Sequence, residues 1–150
     1  MWMFVVLSLV ASPCPDAVRP VPGPIIEGFA PVGDYAGHWG VDFAAAPGTE
    51  VGAVADGTIS FAGPVAGRLS VSVDHGRGMV TTVSYLATVS VSRGERVSRG
   101  QTLGTSGTAH GIESIPLSLR IAGEYTDPTV LFSCRLGDIS EALRLVPVPD

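Results

Sequence analysis

The chain has 150 residues, of which 45% are hydrophobic and 15% charged, and this balance predicts one globular domain and excludes a disordered chain. The net charge of −5 argues against nucleic-acid binding and against electrostatic attraction to an anionic membrane. The 19 glycines and 12 prolines separate short apolar runs, which is typical of many short strands joined by tight turns. An all-β domain is therefore expected.

The first predicted element, residues 1–12, is an apolar run with the length of a signal-peptide core, too short to cross a bilayer. It predicts export to the cell envelope, with no membrane span in the mature chain. A signal peptide normally has basic residues before its apolar core, and none is present here, while Pro13 follows the run. Two alternative interpretations therefore remain: a buried N-terminal strand, or a wrongly assigned start codon. Cys14 and Cys134 are compatible with one disulfide in an oxidising compartment, or with two unrelated thiols.

Residues 13–24 are rich in proline and are expected to form an extended lead-in to a β domain over residues 25–137. Within that domain, apolar and polar residues alternate in several short runs. In residues 69–74, one leucine and two valines alternate with two serines and an aspartate. This is the period of a half-buried strand, so one face is expected to be apolar and the other to be polar.

Two segments of the domain, residues 46–63 and 92–107, both place a glycine three residues before a valine. Glycine at such a position allows a tight turn, and the shared spacing indicates two related hairpin units. The last predicted element covers residues 138–150, where Asp138 and Glu141 resemble a capping box at the start of a short helix and tail.

One segment, GHWGVDFAAAPGTEV, carries residues suited to metal binding. It places His38 and Asp42 with three residues between them, just before a glycine–proline turn. Imidazole and carboxylate are both zinc ligands, and at this spacing they can face one cation. On spacing alone, a polar turn with a solvated histidine is also an open interpretation.

Three stretches extend this pattern over residues 33–132. They read HWGVDFAAAPGTEVGAVADGTISFAG, VSVDHGRGMVTTVSYLATVSVSRGERVSRGQTLGTSG and LRIAGEYTDPTVLF. They resemble the first motif, the central hairpins and the closing strand of the LytM/lysostaphin-type zinc metalloendopeptidases, most closely the small actinobacterial members. The resemblance implies a twisted antiparallel sheet or β-sandwich of the lysostaphin-like (duplicated hybrid motif) type, with a groove. It also implies activity on bacterial peptidoglycan peptides.

The family binds zinc through the His and Asp of its first motif and the second His of a His-x-His strand. Its other conserved histidines, in the His-x-His strand and a Tyr-x-His-Leu strand, serve proton transfer and oxyanion stabilisation. Carried over by position, His38 and Asp42 match the first two ligands. Tyr85 stands where the histidine of the Tyr-x-His-Leu motif belongs.

The His-x-His strand departs most from the family pattern. Counting back from Arg120 and the Asp127-Pro128 pair places Ser114 and Pro116 at the two histidine positions. The alternation in residues 114–121 supports this register, because it assigns one set of side chains to a buried face and the other to the groove. The buried set is Ile115, Leu117, Leu119 and Ile121, and the groove set is Ser114, Pro116, Ser118 and Arg120.

Two further histidines stand near these positions. His110, in the loop GTAHGIE, is a candidate substitute for the third ligand, although loop histidines are usually solvated. His75 is interpreted as a structural turn residue. The sequence therefore predicts no tightly held zinc, with zinc binding through His38, Asp42 and His110 as the alternative.

The sequence thus favours a non-catalytic relative of the cell envelope, which binds peptidoglycan peptides or regulates a cell-wall hydrolase. Trp39, Tyr85 and Arg120 are the candidate groove contacts, since aromatic rings offer apolar platforms and arginine pairs with carboxylates. The first alternative is an active zinc endopeptidase with a rearranged site. The second alternative is a gene without selected function. The intact glycine turns argue against it, because they indicate that the sequence still specifies the fold. A monomer is expected.

Overall fold

The computed structural model describes residues 16–34 and 36–133. The predicted signal segment, both cysteines and the predicted helix over residues 138–150 lie outside these residues. Twelve strands and one short helix are present in the described part of the chain. In chain order they are β1 Ile25–Glu27, β2 Ala30–Val32, β3 Ala36–His38, β4 Val41–Ala44, β5 Glu50–Gly52, β6 Gly57–Val65, β7 Arg68–Asp74, β8 Met79–Val89, β9 Arg96–Val97, β10 Thr102–Ser106, β11 Ser114–Ile121, β12 Glu124–Thr126 and α1 Val130–Ser133.

One ten-stranded sheet carries most of the domain, in the order β1-β4-β11-β8-β7-β6-β9. Strand β10 pairs with β5 and β8, and β12 pairs with β11. A separate two-stranded sheet is formed by β2 and β3. All pairings among these strands are antiparallel, so the predicted all-β antiparallel fold is confirmed. No helix of the described residues has the length and apolar character needed to span a membrane.

Strand β11 lies inside the sheet, between β4 and β8, and follows the predicted alternation along most of its length. Ile115, Leu117 and Leu119 are fully buried. Ile121 is an exception, because it is 41% exposed, so the prediction that it faces the core is wrong. It ends the strand next to the turn at Ala122, where the chain reverses into β12.

Strand β7 was predicted to be half-buried, and this prediction is wrong for its polar face. Ser70 and Ser72 are both buried, as are the valines that alternate with them. The hydroxyl of Ser70 bonds to Ser84 at 3.2 Å, and that of Ser72 bonds to Thr82 at 2.7 Å. Because each buried hydroxyl has a partner on β8, a serine row can be covered without losing its hydrogen bonds.

The predicted repeat is confirmed at the first glycine of each unit. Gly48 and Gly94 have φ of 86° and 89°, which L residues rarely adopt. Each precedes a valine by three residues, and both Val51 and Val97 are buried. The same glycine–valine spacing therefore starts two short strands that enter the core.

Candidate functional site

The first motif forms a hydrogen-bonded pair at the junction of β3 and β4. His38 ends β3, and Asp42 is the second residue of β4. The Nε2 atom of His38 lies 3.0 Å from Oδ1 of Asp42, while Nδ1 donates to the carbonyl of Gly28 at 2.8 Å. Asp42 is only 6% exposed. The four-residue spacing predicted from the sequence thus brings both side chains to one point.

The segment between these two residues keeps β4 close to β11. A Cβ added to Gly40 would lie 2.5 Å from the carbonyl oxygen of Leu117, so only glycine fits at this approach. The same closeness lets β11 support Asp42, because the hydroxyl of Ser114 donates to Oδ2 of Asp42 at 3.4 Å. Both oxygens of the buried carboxylate are therefore engaged, one by His38 and one by Ser114.

His38 carries a raised pKa. Burial lowers the pKa of its imidazole, but the hydrogen bond to the carbonyl of Gly28 and the nearby carboxylates of Asp42 and Glu27 outweigh this effect. The net shift is upward from 6.5. When the ring is protonated, Nδ1 donates to the carbonyl of Gly28 and Nε2 donates to Oδ1 of Asp42.

We expect this shift to be visible by NMR in protein freed of metal with a chelator. The assigned imidazole resonances of His38 should titrate above pH 6.5, and Asp42→Asn should lower the pKa because it removes one neighbouring charge. Glu50 is not among the groups that shift the pKa of His38, so Glu50→Gln should leave that pKa unchanged. Since the pKa is raised by folding, the stabilisation from His38 is complete below pH 6.5 and is lost as the pH rises through the folded pKa. A His38 pKa that is not raised above 6.5 would contradict an ion pair between His38 and Asp42.

A residue that the sequence analysis missed, Glu27, lies beside this pair. The Glu27 carboxylate, the His38 imidazole and the Asp42 carboxylate each offer a ligand atom within 4.8 Å of the others. Glu27 ends β1 and stands opposite Asp42 in the β1–β4 pairing. No spacing rule links residue 27 to residue 42, so only the strand pairing reveals this neighbour.

The two predicted histidine replacements both lie beside Asp42. Ser114 is fully buried, whereas Pro116 is half-buried and stands opposite Asp42 across the β4–β11 pair. The amide of Ala45 donates to the carbonyl of Glu113, and the alternation of an antiparallel ladder then makes 42–116 a non-hydrogen-bonded pair. Side chains approach most closely in such pairs. Pro116 therefore presents an apolar ring to Asp42 and offers no metal ligand.

His110 and Tyr85 form a second pair. A 2.8 Å hydrogen bond joins the Tyr85 hydroxyl to Nε2 of His110. Both residues have positive φ, 61° for Tyr85 and 51° for His110. The guanidinium of Arg68 lies 4.6 Å from the centre of the Tyr85 ring. Such backbone conformations cost energy in bulky residues and persist where the surroundings impose them, often at functional sites.

One open cavity of about 530 Å³ joins both pairs. Its lining includes Glu27, His38, Trp39, Asp42, Tyr85, His110, Pro116 and Ser118. Trp39 packs edge-on against Tyr125, with ring centres 5.6 Å apart. Arg120 is not part of the lining, because its guanidinium lies over the Tyr125 ring at 5.8 Å. The structure thus places two of the three candidate groove contacts, Trp39 and Tyr85, in the cavity.

His75 lies away from this cavity, in the turn between β7 and β8. Its Nδ1 donates to the carbonyl of Asp56 at 2.8 Å, and its Nε2 bonds to the hydroxyl of Thr81 at 2.7 Å. Both ring nitrogens are thus used within the fold, in agreement with a structural turn residue.

The antiparallel sheet with a paired His and Asp in its groove agrees with the class predicted from the sequence, a zinc-peptidase-like β domain. The family model that matches residues 36–128 is Peptidase family M23, and the chain belongs to this family. The solution structure of lysostaphin shares the fold, with a TM-score of 0.55 and 24% identity over 69% of this chain and 48% of that chain. The resemblance to lysostaphin-type peptidases is therefore confirmed, while the closeness to small actinobacterial members stays a prediction.

Two curated relatives have roles in the cell envelope or in division. The cell division protein DipM of Caulobacter vibrioides is 36% identical over 108 residues, covering 70% of this chain and 18% of DipM. The murein hydrolase activator EnvC of Escherichia coli is 31% identical over 123 residues, covering 79% of this chain and 29% of EnvC. The chain therefore spans less than a third of the length of either relative.

Proposed function

We propose that this chain is a non-catalytic M23 domain of the cell envelope, outside the cytoplasm, that binds peptidoglycan peptides in its groove. Pro116 lies opposite Asp42, where the resemblance to the family implies a zinc-binding histidine, but the proposal is carried by the positions that serve proton transfer and oxyanion stabilisation. Ser114 and Tyr85 occupy the positions of the two histidines that serve proton transfer and oxyanion stabilisation. Loss of one such group commonly lowers a rate by about 100- to 10,000-fold, and here two are absent.

The groove supports binding in the absence of hydrolysis. Trp39 offers an indole surface whose Nε1 already donates to the carbonyl of Ala36, so the ring is held in place. Across the cavity, the Tyr85–His110 pair offers polar atoms for a peptide. An apolar platform with a few fixed polar groups is the usual composition of a ligand site.

The similarity to EnvC favours a second candidate function, in which the domain activates a murein hydrolase rather than binding peptidoglycan alone. Addition of the chain to a murein hydrolase on cell-wall sacculi would then raise the rate of release of soluble fragments. A rate that does not depend on the added chain would contradict this second function.

The primary test measures hydrolysis and binding on the same labelled sacculi with the full chain and added zinc. We expect no release of soluble peptide above buffer, with an active M23 peptidase as positive control, and we expect the chain to sediment with the sacculi. Trp39→Ala should weaken sedimentation by about tenfold or more, as for an aromatic anchor of an interface. Phe61→Ala, an exposed aromatic on β6, is the matched control and should bind normally.

The alternative of an active zinc endopeptidase makes the opposite prediction. Release of peptide that requires zinc and stops with a chelator would overturn the non-catalytic assignment. Absence of sedimentation would overturn the binding role.

A further inference from the structure

We propose that Glu27 is the third protein ligand of a zinc site completed by His38 and Asp42, in the place of the family histidine that Pro116 replaces. The three residues are the one group of at least three His, Cys, Asp or Glu side chains in the described residues whose ligand atoms converge. The inference differs from the zinc set considered from the sequence, which used His110. It is independent of whether the groove binds peptides.

The orientation of His38 is the first argument. Its Nδ1 donates to the carbonyl of Gly28, which turns Nε2 toward Asp42. Histidines that ligate metals commonly donate their other ring N–H to a backbone carbonyl in this way. Because Gly28 directly follows Glu27, one short segment both orients the imidazole and brings a carboxylate to it.

The second argument concerns distances. Zinc–nitrogen and zinc–oxygen bonds of about 2.0–2.2 Å place two tetrahedral ligand atoms about 3.3 Å apart. The His38 and Asp42 atoms, 3.0 Å apart, are already close to that separation. The Glu27 carboxylate lies within 4.8 Å of both atoms and needs only a side-chain adjustment to reach that separation. Glu27 is exposed, so its side-chain torsions are free to make this adjustment.

The third argument is that His110 has another partner. Its Nε2 is bonded to the Tyr85 hydroxyl, and it is not a member of the converging group. Ser114, in contrast, supports the proposed site, because its hydroxyl holds Oδ2 of Asp42 and leaves Oδ1 on the side of His38. Such a second partner fixes the direction of a ligating carboxylate.

The chemistry of the three ligands favours zinc over calcium or magnesium. One imidazole with two carboxylates suits Zn²⁺, whereas Ca²⁺ and Mg²⁺ prefer six or more oxygens. Three protein ligands also leave a fourth position of a tetrahedral ion open, as in other zinc sites that receive a ligand.

The test is a zinc titration of the full, metal-free chain by calorimetry, with Co²⁺ absorption as a second readout of the ligand set. We expect one ion per chain. Loss of a residue that hydrogen-bonds to a metal ligand lowers metal affinity by about 10- to 100-fold. Loss of a direct ligand should cost at least as much, so Glu27→Gln should weaken zinc binding by about tenfold or more. Glu27→His should restore binding. Glu50→Gln removes an exposed glutamate of β5 and should bind zinc as the unmodified chain does.

The alternative outcomes are distinct from those of the hydrolysis assay. An unmodified chain that takes up no zinc, or a Glu27→Gln variant with unchanged affinity, would overturn the site. If His110→Ala lost zinc binding while Glu27→Gln kept it, the third ligand would be His110, and the proposed Glu27 site would be overturned. Because Glu27 is exposed, circular dichroism should show that its substitution leaves the fold intact.

Discussion

Replacing Pro116 with histidine is expected to raise the zinc affinity of the chain by about 100-fold or more, because a direct ligand should contribute more than a residue that only hydrogen-bonds to a ligand. The reason lies in the strand register. Residue 116 faces Asp42 across a closely spaced pair of β4 and β11, so a histidine there reaches the ion from the side opposite Glu27. An imidazole is also a better zinc ligand than a flexible, exposed carboxylate.

The matched control for this variant is Ser118→His. Ser118 also lines the cavity, two residues further along the same face of β11, but it is paired with Thr82 of β8 and not with β4. A general gain from an added imidazole would appear in both variants, whereas completion of the site would appear in Pro116→His alone. Equal affinities of Pro116→His and the unmodified chain would show that the register assigned to β11 is wrong.

The two zinc predictions are also coupled. Once a histidine occupies position 116, the ion no longer depends on Glu27, so Glu27→Gln should cost less in the Pro116→His background than alone. This double-mutant cycle measures the coupling directly. If the proposed non-catalytic assignment is right, hydrolysis of sacculi should remain absent in Pro116→His, because that assignment places Tyr85 and Ser114 at the positions of the proton-transfer and oxyanion histidines.

Sequence reasoning reached those parts of the site that lie close together along the chain or on one alternating strand. His38 and Asp42 share one motif, and the face of β11 that carries Ser114 and Pro116 follows from an alternation of period two. Both are local signals. The positive φ of Gly48 was accessible in the same way, because a tight turn before a buried valine requires it.

Residues brought to the site by strand pairing could not be predicted in this way. Glu27 lies in a three-residue strand without a local pattern, and only its pairing with β4 places it beside Asp42. The Tyr85–His110 bond similarly joins residues that are 25 apart in the chain. The buried serines of β7 were missed because a polar residue was expected to face solvent, whereas their cross-strand hydrogen bonds allow burial.

Phe43→Ala should give the largest loss of stability, about 3–5 kcal/mol in the free energy of unfolding. The side chain is fully buried, and its ring packs edge-on against Phe132 of α1 at a centroid distance of 5.9 Å. Because Phe43 directly follows Asp42 and pairs with Ile115, the packing that it provides also holds β4 against β11. Urea denaturation at several protein concentrations would measure the change.

Phe61→Ala is the control that distinguishes loss of core packing at Phe43 from loss of a phenyl ring in general. Phe61 is 38% exposed on β6, so removal of its ring should cost less free energy of unfolding than removal of the fully buried Phe43 ring. Equal losses would mean that the core is not centred on β4 and β11. If Phe43→Ala stays folded at low temperature, its zinc affinity should also fall, because the strand that carries Asp42 then lacks the packing that fixes its distance from His38.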